Sequence, residues 1–352
     1  MSKYWKEIVK NIEPYIPGEQ PGDKRYIKLN TNENPYPPSP GVIEAIRQAA
    51  NENLRLYPDP NCEELRETIA GYFGLRKEEV FVGNGSDEIL AFSFLAFFNH
   101  GRPVLFPDIT YSFYKVYAEL FQVDYKLIPI DEEFIIPVEE FYAENNGIII
   151  PNPNAPTGRF LPVDAFIEIL KHNADSVVII DEAYIDFGGE SAAVIIKEYP
   201  NLLIIQTFSK SRSLAGLRVG FCVGHKDLIE GIRRVKNSFN SYTLDRLAVA
   251  GAIEAIRDEN YFQETRSKII NTRERVSARL IEMGFNVIPS KANFIFISHP
   301  EIYAANLFHG LKNRGVLVRY FKKPRIDNFL RVTIGIDEEM DCFLDIIAES
   351  LF

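Results

Sequence analysis

Between residues 80 and 224 the sequence repeats one event seven times: a short apolar run rich in β-branched residues, followed by a longer amphipathic stretch. The runs are EVFVG, RPVLFP, YKLIPI, GIIIPN, SVVIID, NLLIIQ and RVGFCVG. Several are apolar at successive positions rather than alternate ones, which requires cover on both faces of the strand. Strands of that kind separated by helices predict a mainly parallel α/β sheet.

The flanks have a different texture. Residues 1 to 40 are rich in proline and asparagine, end in LNTNENPYPPSP, and read as an extended arm, because proline disfavours helix at and before its own position. Helical spacing follows in GVIEAIRQAA and CEELRETIAGYFG. After Ser241 a long helical stretch runs through LDRLAVAGAIEAIRDENYFQETRSKIINTRERVSARLIEMG. Shorter strand patterns (FNVIPS, ANFIFIS, GVLVRYF, FLRVTIG) and a final helix complete the chain. At 352 residues one core is no longer efficient, so two domains are expected. The expected division is a large domain over 29–255 and a smaller α+β domain built from 256–352, with 1–28 as its N-terminal arm.

Charge restricts the partners. Lys and Arg number 39 against 49 Asp and Glu, a formal net charge of −10, which disfavours nucleic acid and anionic membranes. An anion site must then be a local arrangement of arginines and backbone N–H groups. The three cysteines, Cys62, Cys222 and Cys342, are scattered and form no CxxC, which points to a reducing compartment. The opening MSKYWKEIVKNIEPY lacks the apolar core of a signal peptide. No apolar run approaches the roughly 20 residues of a membrane span, so a cytoplasmic protein is expected. Five scattered histidines offer no metal-ligand spacing.

Four stretches could carry chemistry. SVVIIDEAYIDF places Asp181 at the end of a buried strand, with Tyr184 beyond it, and ligands of open α/β sheets collect at that edge. A carboxylate there is costly unless paired, for example with a protonated heterocyclic nitrogen. QTFSKSRSLAGLRVG carries Lys210 out of another apolar strand between Ser209 and Ser211, with Arg218 following. A lysine that is partly desolvated or near other cations keeps a free amine able to attack a carbonyl. Its hydroxyl, arginine and glycine neighbours suit a phosphate. FVGNGSDEILAF turns from a strand through Gly85, Ser86 and Asp87 into a helix whose N-terminus favours an anion. IIIPNPNAPTG presents the amide of Asn154 on a proline-fixed loop.

Each of these alone has an ordinary structural explanation. Asp181 could cap a helix or close a turn, Lys210 could be a solvated surface lysine, and Ser86 or Asp87 could cap a tight connection. The proline loop could be a surface turn. Together they supply an amine, an acid for a ring nitrogen, an amide and a phenol for a phenolic oxygen, and a phosphate cradle. That is the inventory needed to hold pyridoxal 5′-phosphate.

At this point the chain resembles the fold-type I pyridoxal-phosphate aminotransferases: NPNAPTG, DEAYIDF and SKSRSLAGLRVG occur in that family's order and separations, and the likeness covers nearly the whole chain. The serine-rich SKSRSLAG departs locally from the aliphatic residues often seen after the lysine. The resemblance implies a large domain with a mainly parallel, seven-stranded type of sheet flanked by helices, plus a smaller α+β domain. It implies that Lys210 links to the cofactor and shuttles a proton, and that Asp181 pairs with the ring nitrogen. Asn154 and Tyr184 would address the phenolic oxygen, and Tyr111, in PDITYSFY, would stack on the ring. Ser209, Arg218 and the backbone around Gly85, Ser86 and Asp87 would hold the phosphate. Tyr57, in RLYPDP, would reach that phosphate from a neighbouring subunit, making the site a property of a homodimer.

On the substrate side the resemblance assigns Arg331, in FLRVTIG, to an anionic group, with Arg319 and Tyr15 nearby. LNTNENPYPPSP, RLYPDP and FLRVTIG fit a subgroup in which one pocket takes a phosphate and then a carboxylate of glutamate; the planar fork of arginine meets either bidentately. Arg331 as a strand residue in a surface ion pair is the structural alternative. An aromatic or broad-specificity aminotransferase, a lyase or decarboxylase of phosphorylated threonine, and a non-catalytic binding protein on the same fold are the competing functions.

Overall fold

A computed structural model of the chain describes residues 2–22, 26–99 and 101–350. Its strands, in chain order, are β1 Ile27–Leu29, β2 Val80–Asn84, β3 Val104–Pro107, β4 Tyr125–Ile128, β5 Gly147–Pro151 and β6 Val178–Asp181. They continue with β7 Leu202–Thr207, β8 Val219–Gly224, β9 Asn286–Ile288, β10 Phe294–Ser298, β11 Val316–Tyr320 and β12 Leu330–Thr333. The helices are α1 Glu7–Asn11, α2 Pro40–Ala49, α3 Glu63–Phe73, α4 Gly85–Phe97, α5 Phe113–Leu120 and α6 Val163–His172. After them come α7 Lys226–Phe239, α8 Arg246–Arg257, α9 Glu259–Glu282, α10 Ala304–Asn313 and α11 Asp337–Ser350.

All seven apolar runs are strands of one sheet, ordered β2-β8-β7-β6-β5-β3-β4. Pairing is parallel from β7 through β6 and β5 to β3 and β4, and β8 alone runs against its neighbours β7 and β2. Successive residues of one strand feed opposite cores. Ile148, Ile150, Val178, Ile180, Leu202 and Ile204 face one, while Ile149, Ile179, Leu203 and Ile205 face the other. That is the physical reason the runs do not alternate.

The second sheet, ordered β1-β11-β12-β10-β9, is antiparallel except for β1, which lies parallel to β11. Leu29, Ile295, Val318 and Val332 join Ile269, Val276 and Leu280 of α9 in its own core.

Two expectations need correction. The N-terminal 40 residues are not simply extended: they contain the short helix α1 and the strand β1. The long helical stretch after Ser241 is two helices, α8 and α9, separated at Asp258. That residue has left helical geometry (φ −85°, ψ 64°) and its side chain accepts from the Tyr261 N–H, capping α9. The α8 side chains Ala248 and Ala252 pack into the first sheet's core, whereas α9 serves the second. The break therefore falls where the chain changes cores.

Candidate active site

The parallel strands β5, β6 and β7 end at Pro151, Asp181 and Thr207, and all three residues line one cavity of about 810 Å³. Its far wall comes from the second sheet through Arg319, Phe321 and Arg331, and its rim from the arm through Tyr15. The cavity thus lies at the carboxyl ends of the sheet strands, where α/β sheets bind ligands. It collects Ser86, Asp87, Tyr111, Asp181, Tyr184, Ser209, Lys210 and Arg218 beside Tyr15, Arg319 and Arg331. Gly85, Asn154 and Tyr57 stand outside its lining.

Asp181 is 5% exposed. It accepts a hydrogen bond from the Tyr114 hydroxyl at 2.7 Å and another from the Ala183 N–H at 3.2 Å, neither of them a cation. Burial pushes its carboxyl up to about 6 from an ordinary 3.8, although both hydrogen bonds oppose the shift. Lys210 is displaced the other way. Burial, reinforced by Arg331, brings its amine down to about 8 from 10.5, and its Nζ donates to the Thr31 carbonyl at 3.1 Å. An acid that resists ionising and an amine that resists protonation face one cavity, the condition expected where chemistry is done.

The expected phosphate-binding residues come from three segments. Arg218 Nη1 lies 3.3 Å from Ser209 Oγ, and its Nη2 pairs with Asp87 at 3.3 Å. Thr207 Oγ1 fixes Ser209 by donating to Ser209 Oγ at 3.0 Å and accepting from the Ser209 N–H at 3.1 Å. Helix α4 begins at Gly85 without a side-chain cap, so its first N–H groups remain for an anion. Gly85 has φ +76°, and a Cβ there would stand 2.6 Å from Arg218 Nη2. At Gly220 a Cβ would stand 2.5 Å from both the Gly85 carbonyl carbon and the Ser86 nitrogen. Only glycine lets β8 and the head of α4 approach this closely.

Tyr111 lines the cavity and donates to Asp87 at 2.8 Å. The Tyr184 hydroxyl accepts from Asn32 Nδ2 at 3.0 Å, which leaves its own hydrogen free to donate. Asn154 is fully buried and directly precedes the cavity-lining Ala155 and Pro156 in sequence. Its Nδ2 donates to the Ile109 carbonyl and to Thr157 Oγ1, while Oδ1 has no partner.

Arg331 Nη2 donates to the Asn30 carbonyl at 3.1 Å, and its buried Nε has no partner. Its guanidinium lies 5.3 Å from the Phe294 ring and 5.6 Å from that of Phe321. Arg319 reaches the Pro17 and Ile16 carbonyls of the arm. Tyr15 stacks on Phe113 at 4.4 Å. Tyr57 is 77% exposed, and its ring is held against Tyr242 at 4.6 Å.

Several residues that build the candidate site carry no local motif. Tyr114 is one. Another is Arg325, which crosses from the β11–β12 loop to Asp108 at 2.9 Å and to the Ile130 and Asp131 carbonyls. A third is the segment Asn30–Asn34, which the sequence offers only as part of a proline- and asparagine-rich arm. Long-range hydrogen bonds, spanning 67 to 301 residues, are what bring these groups in.

A family model described as aminotransferase class I and II matches residues 24–347. The chain belongs to that family. A curated relative from Clostridium acetobutylicum, named histidinol-phosphate aminotransferase, is 63% identical over 351 residues, covering 100% of both chains. A crystal structure of histidinol-phosphate aminotransferase from the same organism has TM-score 0.85 at 27% identity, covering 92% of this chain and 98% of that one. One from Sinorhizobium meliloti, in complex with pyridoxal 5′-phosphate, has TM-score 0.90 at 23% identity, covering 100% and 98%. The fold is that of the fold-type I transferases.

The cofactor of this aminotransferase is pyridoxal 5′-phosphate, and the residues present fit it. Asp181 is a buried acid without a cation, suited to a protonated ring nitrogen. The close approach at Gly85 and Gly220, together with Arg218 and Ser209, suits a phosphate. Among the described residues no cluster of His, Cys, Asp or Glu could hold a metal ion, and no helix is long and apolar enough to cross a membrane.

Proposed function

We propose that the chain transfers an amino group between histidinol phosphate and 2-oxoglutarate, as a histidinol-phosphate aminotransferase of histidine biosynthesis. The observation that carries the reading is the shared cavity of the Lys210 amine, the Asp181 acid and the Arg331 guanidinium; the name of the 63% identical relative supplies the substrate.

Pyridoxal phosphate, when bound, supplies the electron sink that lets a bond at the substrate Cα ionise. Lys210 Nζ holds the cofactor and afterwards takes and returns the Cα proton, as a positioned base. Asp181 would keep a positive charge on the ring nitrogen, and Tyr111 would cover the ring. Tyr184, with a free hydroxyl hydrogen, addresses the phenolic oxygen, and Asn154 would join it there through its amide N–H. Ser209, Arg218 and the backbone N–H groups around Gly85, Ser86 and Asp87 grip the phosphate, while the Asp87 carboxylate holds Arg218 in place. Arg331, with Arg319 and Tyr15, meets in turn the phosphate of histidinol phosphate and a carboxylate of glutamate.

The site is completed in a homodimer, with the exposed Tyr57 reaching the neighbouring phosphate. The compartment is the cytoplasm, a reading that rests on the scattered cysteines, which form no CxxC. The domain division is a large unit of 29–255 and a small unit of 1–28 with 256–352, the strand Ile27–Leu29 spanning its first border.

The test offers histidinol phosphate, aromatic amino acids and threonine phosphate to the cofactor-loaded protein with 2-oxoglutarate. Fastest glutamate formation with histidinol phosphate is expected. Preference for an aromatic donor, or release of CO₂ from threonine phosphate, would replace the reading.

A further inference from the structure

Five consecutive residues of the arm run past the site, and four of them hold a different part of it. The Asn30 carbonyl takes Arg331 Nη2, the Thr31 carbonyl takes Lys210 Nζ, and Asn32 Nδ2 donates to the Tyr184 hydroxyl. Asn34 Nδ2 donates to the Lys210 and Ser211 carbonyls at 3.0 and 3.2 Å, fixing the lysine's backbone. Asn32 sits at φ +56°, a left-handed geometry asparagine tolerates. Its N–H and Oδ1 are both tied to Thr333 Oγ1.

The remaining member is Glu33. Its carboxylate accepts Lys28 Nζ at 2.6 and 2.7 Å and the Thr31 hydroxyl at 2.7 Å. Partial burial opposes its charge, yet the hydrogen bonds from Lys28 and Thr31 keep it below the usual carboxylate range, so it is ionised. We propose that Glu33 is a positioning residue for Lys210. It fixes the Thr31 turn so that the Thr31 carbonyl receives the lysine Nζ, and it supplies a carboxylate that offsets the cations around that Nζ.

The groups facing Lys210 come from every side. Arg331 on β12 and Arg218 before β8 oppose its protonation, and Asp87 on α4 favours it together with Glu33. The Tyr184 ring, beyond β6, lies 5.8 Å from Nζ. With two cations against two carboxylates, neutralising Glu33 leaves the cations unopposed from the arm. The amine then releases its proton more easily.

The inference rests on Lys210 being the cofactor-linked lysine, and its test does not require turnover. The full-length, cofactor-free chain is labelled with a small amine-reactive aryl fluoride between pH 6.5 and 10, and the rate at Lys210 is read by peptide mass mapping. Glu33→Gln is expected to lower the labelling midpoint by about half a pH unit or more. Glu33→Asp should restore the midpoint, and Lys28→Met, which strips Glu33 of its cation, should raise it. A midpoint unmoved in folded Glu33→Gln, or one that rises, overturns the proposal. If that variant does not fold, an unmoved or lowered midpoint in Lys28→Met overturns it, and a raised one supports it. Failure of the aminotransferase reading would show separately, as wild-type labelling without amino transfer.

Discussion

The Tyr114 hydroxyl donates to Asp181 at 2.7 Å from a side chain with no exposure to water, so the acid at the end of β6 is held by a neutral donor. A carboxyl raised to about 6 in the folded chain stabilises the fold only while protonated. That contribution is present below the unfolded pKa, near 3.8, and is lost as pH rises through about 6. The cofactor-free Asp181→Asn variant should therefore be more stable than wild type at pH 7.5, by on the order of 1–3 kcal/mol, and unfold at a higher temperature. The gap should close by about pH 4, while transamination is lost. Thermal unfolding across that pH range checks it; a variant less stable than wild type at pH 7.5 contradicts it.

Gly220→Ala drives a Cβ into the Gly85–Ser86 backbone. With main chain on the other side, the strain has no flexible side chain to absorb it. A stability loss of about 1–3 kcal/mol is expected, with weaker cofactor binding because the head of α4 is displaced. Gly310→Ala, on α10 with open space around the added Cβ, should be neutral or slightly stabilising. Paired melting curves and pyridoxal phosphate titrations separate the two.

Arg331→Lys keeps a charge in the cavity and loses the planar fork. KM should rise about 10- to 100-fold for histidinol phosphate and for 2-oxoglutarate alike, the cost of a lost charge-assisted hydrogen bond. A rise for one substrate alone would mean that the two anions do not share this arginine.

Tyr57 is presented outward, with its ring on Tyr242 and its carbonyl accepting Arg246 Nη2 at 2.7 Å. If it serves a neighbouring subunit, Lys210→Ala and Tyr57→Ala chains mixed under exchange conditions form dimers with one intact site. The mixture should exceed the mean kcat/KM of its parents. A mixture that stays at that mean places Tyr57 outside the site.

The sheet was legible because burial on both faces leaves a direct trace: Ile148, Ile149 and Ile150 must all be apolar when they feed two cores. The reversed direction of β8 left no such trace, since a strand's composition does not record its polarity relative to its neighbours. Lys210, Asp181 and Arg218 were legible as ionisable residues set at the ends of apolar runs. Tyr114 was not, because a helix tyrosine has the same local pattern whether or not it meets a carboxylate 67 residues away. Glu33 and Asn34 were hidden for a similar reason. Their partners in the arm and at Lys210 are fixed by tertiary structure, and an asparagine-rich loop reads locally as a turn.

The Lys210 amine, depressed to about 8, is the group proposed to link covalently to the cofactor. Borohydride reduction of the pyridoxal phosphate-loaded protein, followed by peptide mass mapping, tests it most directly. One reduced cofactor adduct on Lys210 is expected, attached faster as pH rises through about 8 because the attacking amine must be unprotonated. An adduct on another lysine, or none in a folded protein that binds the cofactor, would contradict it.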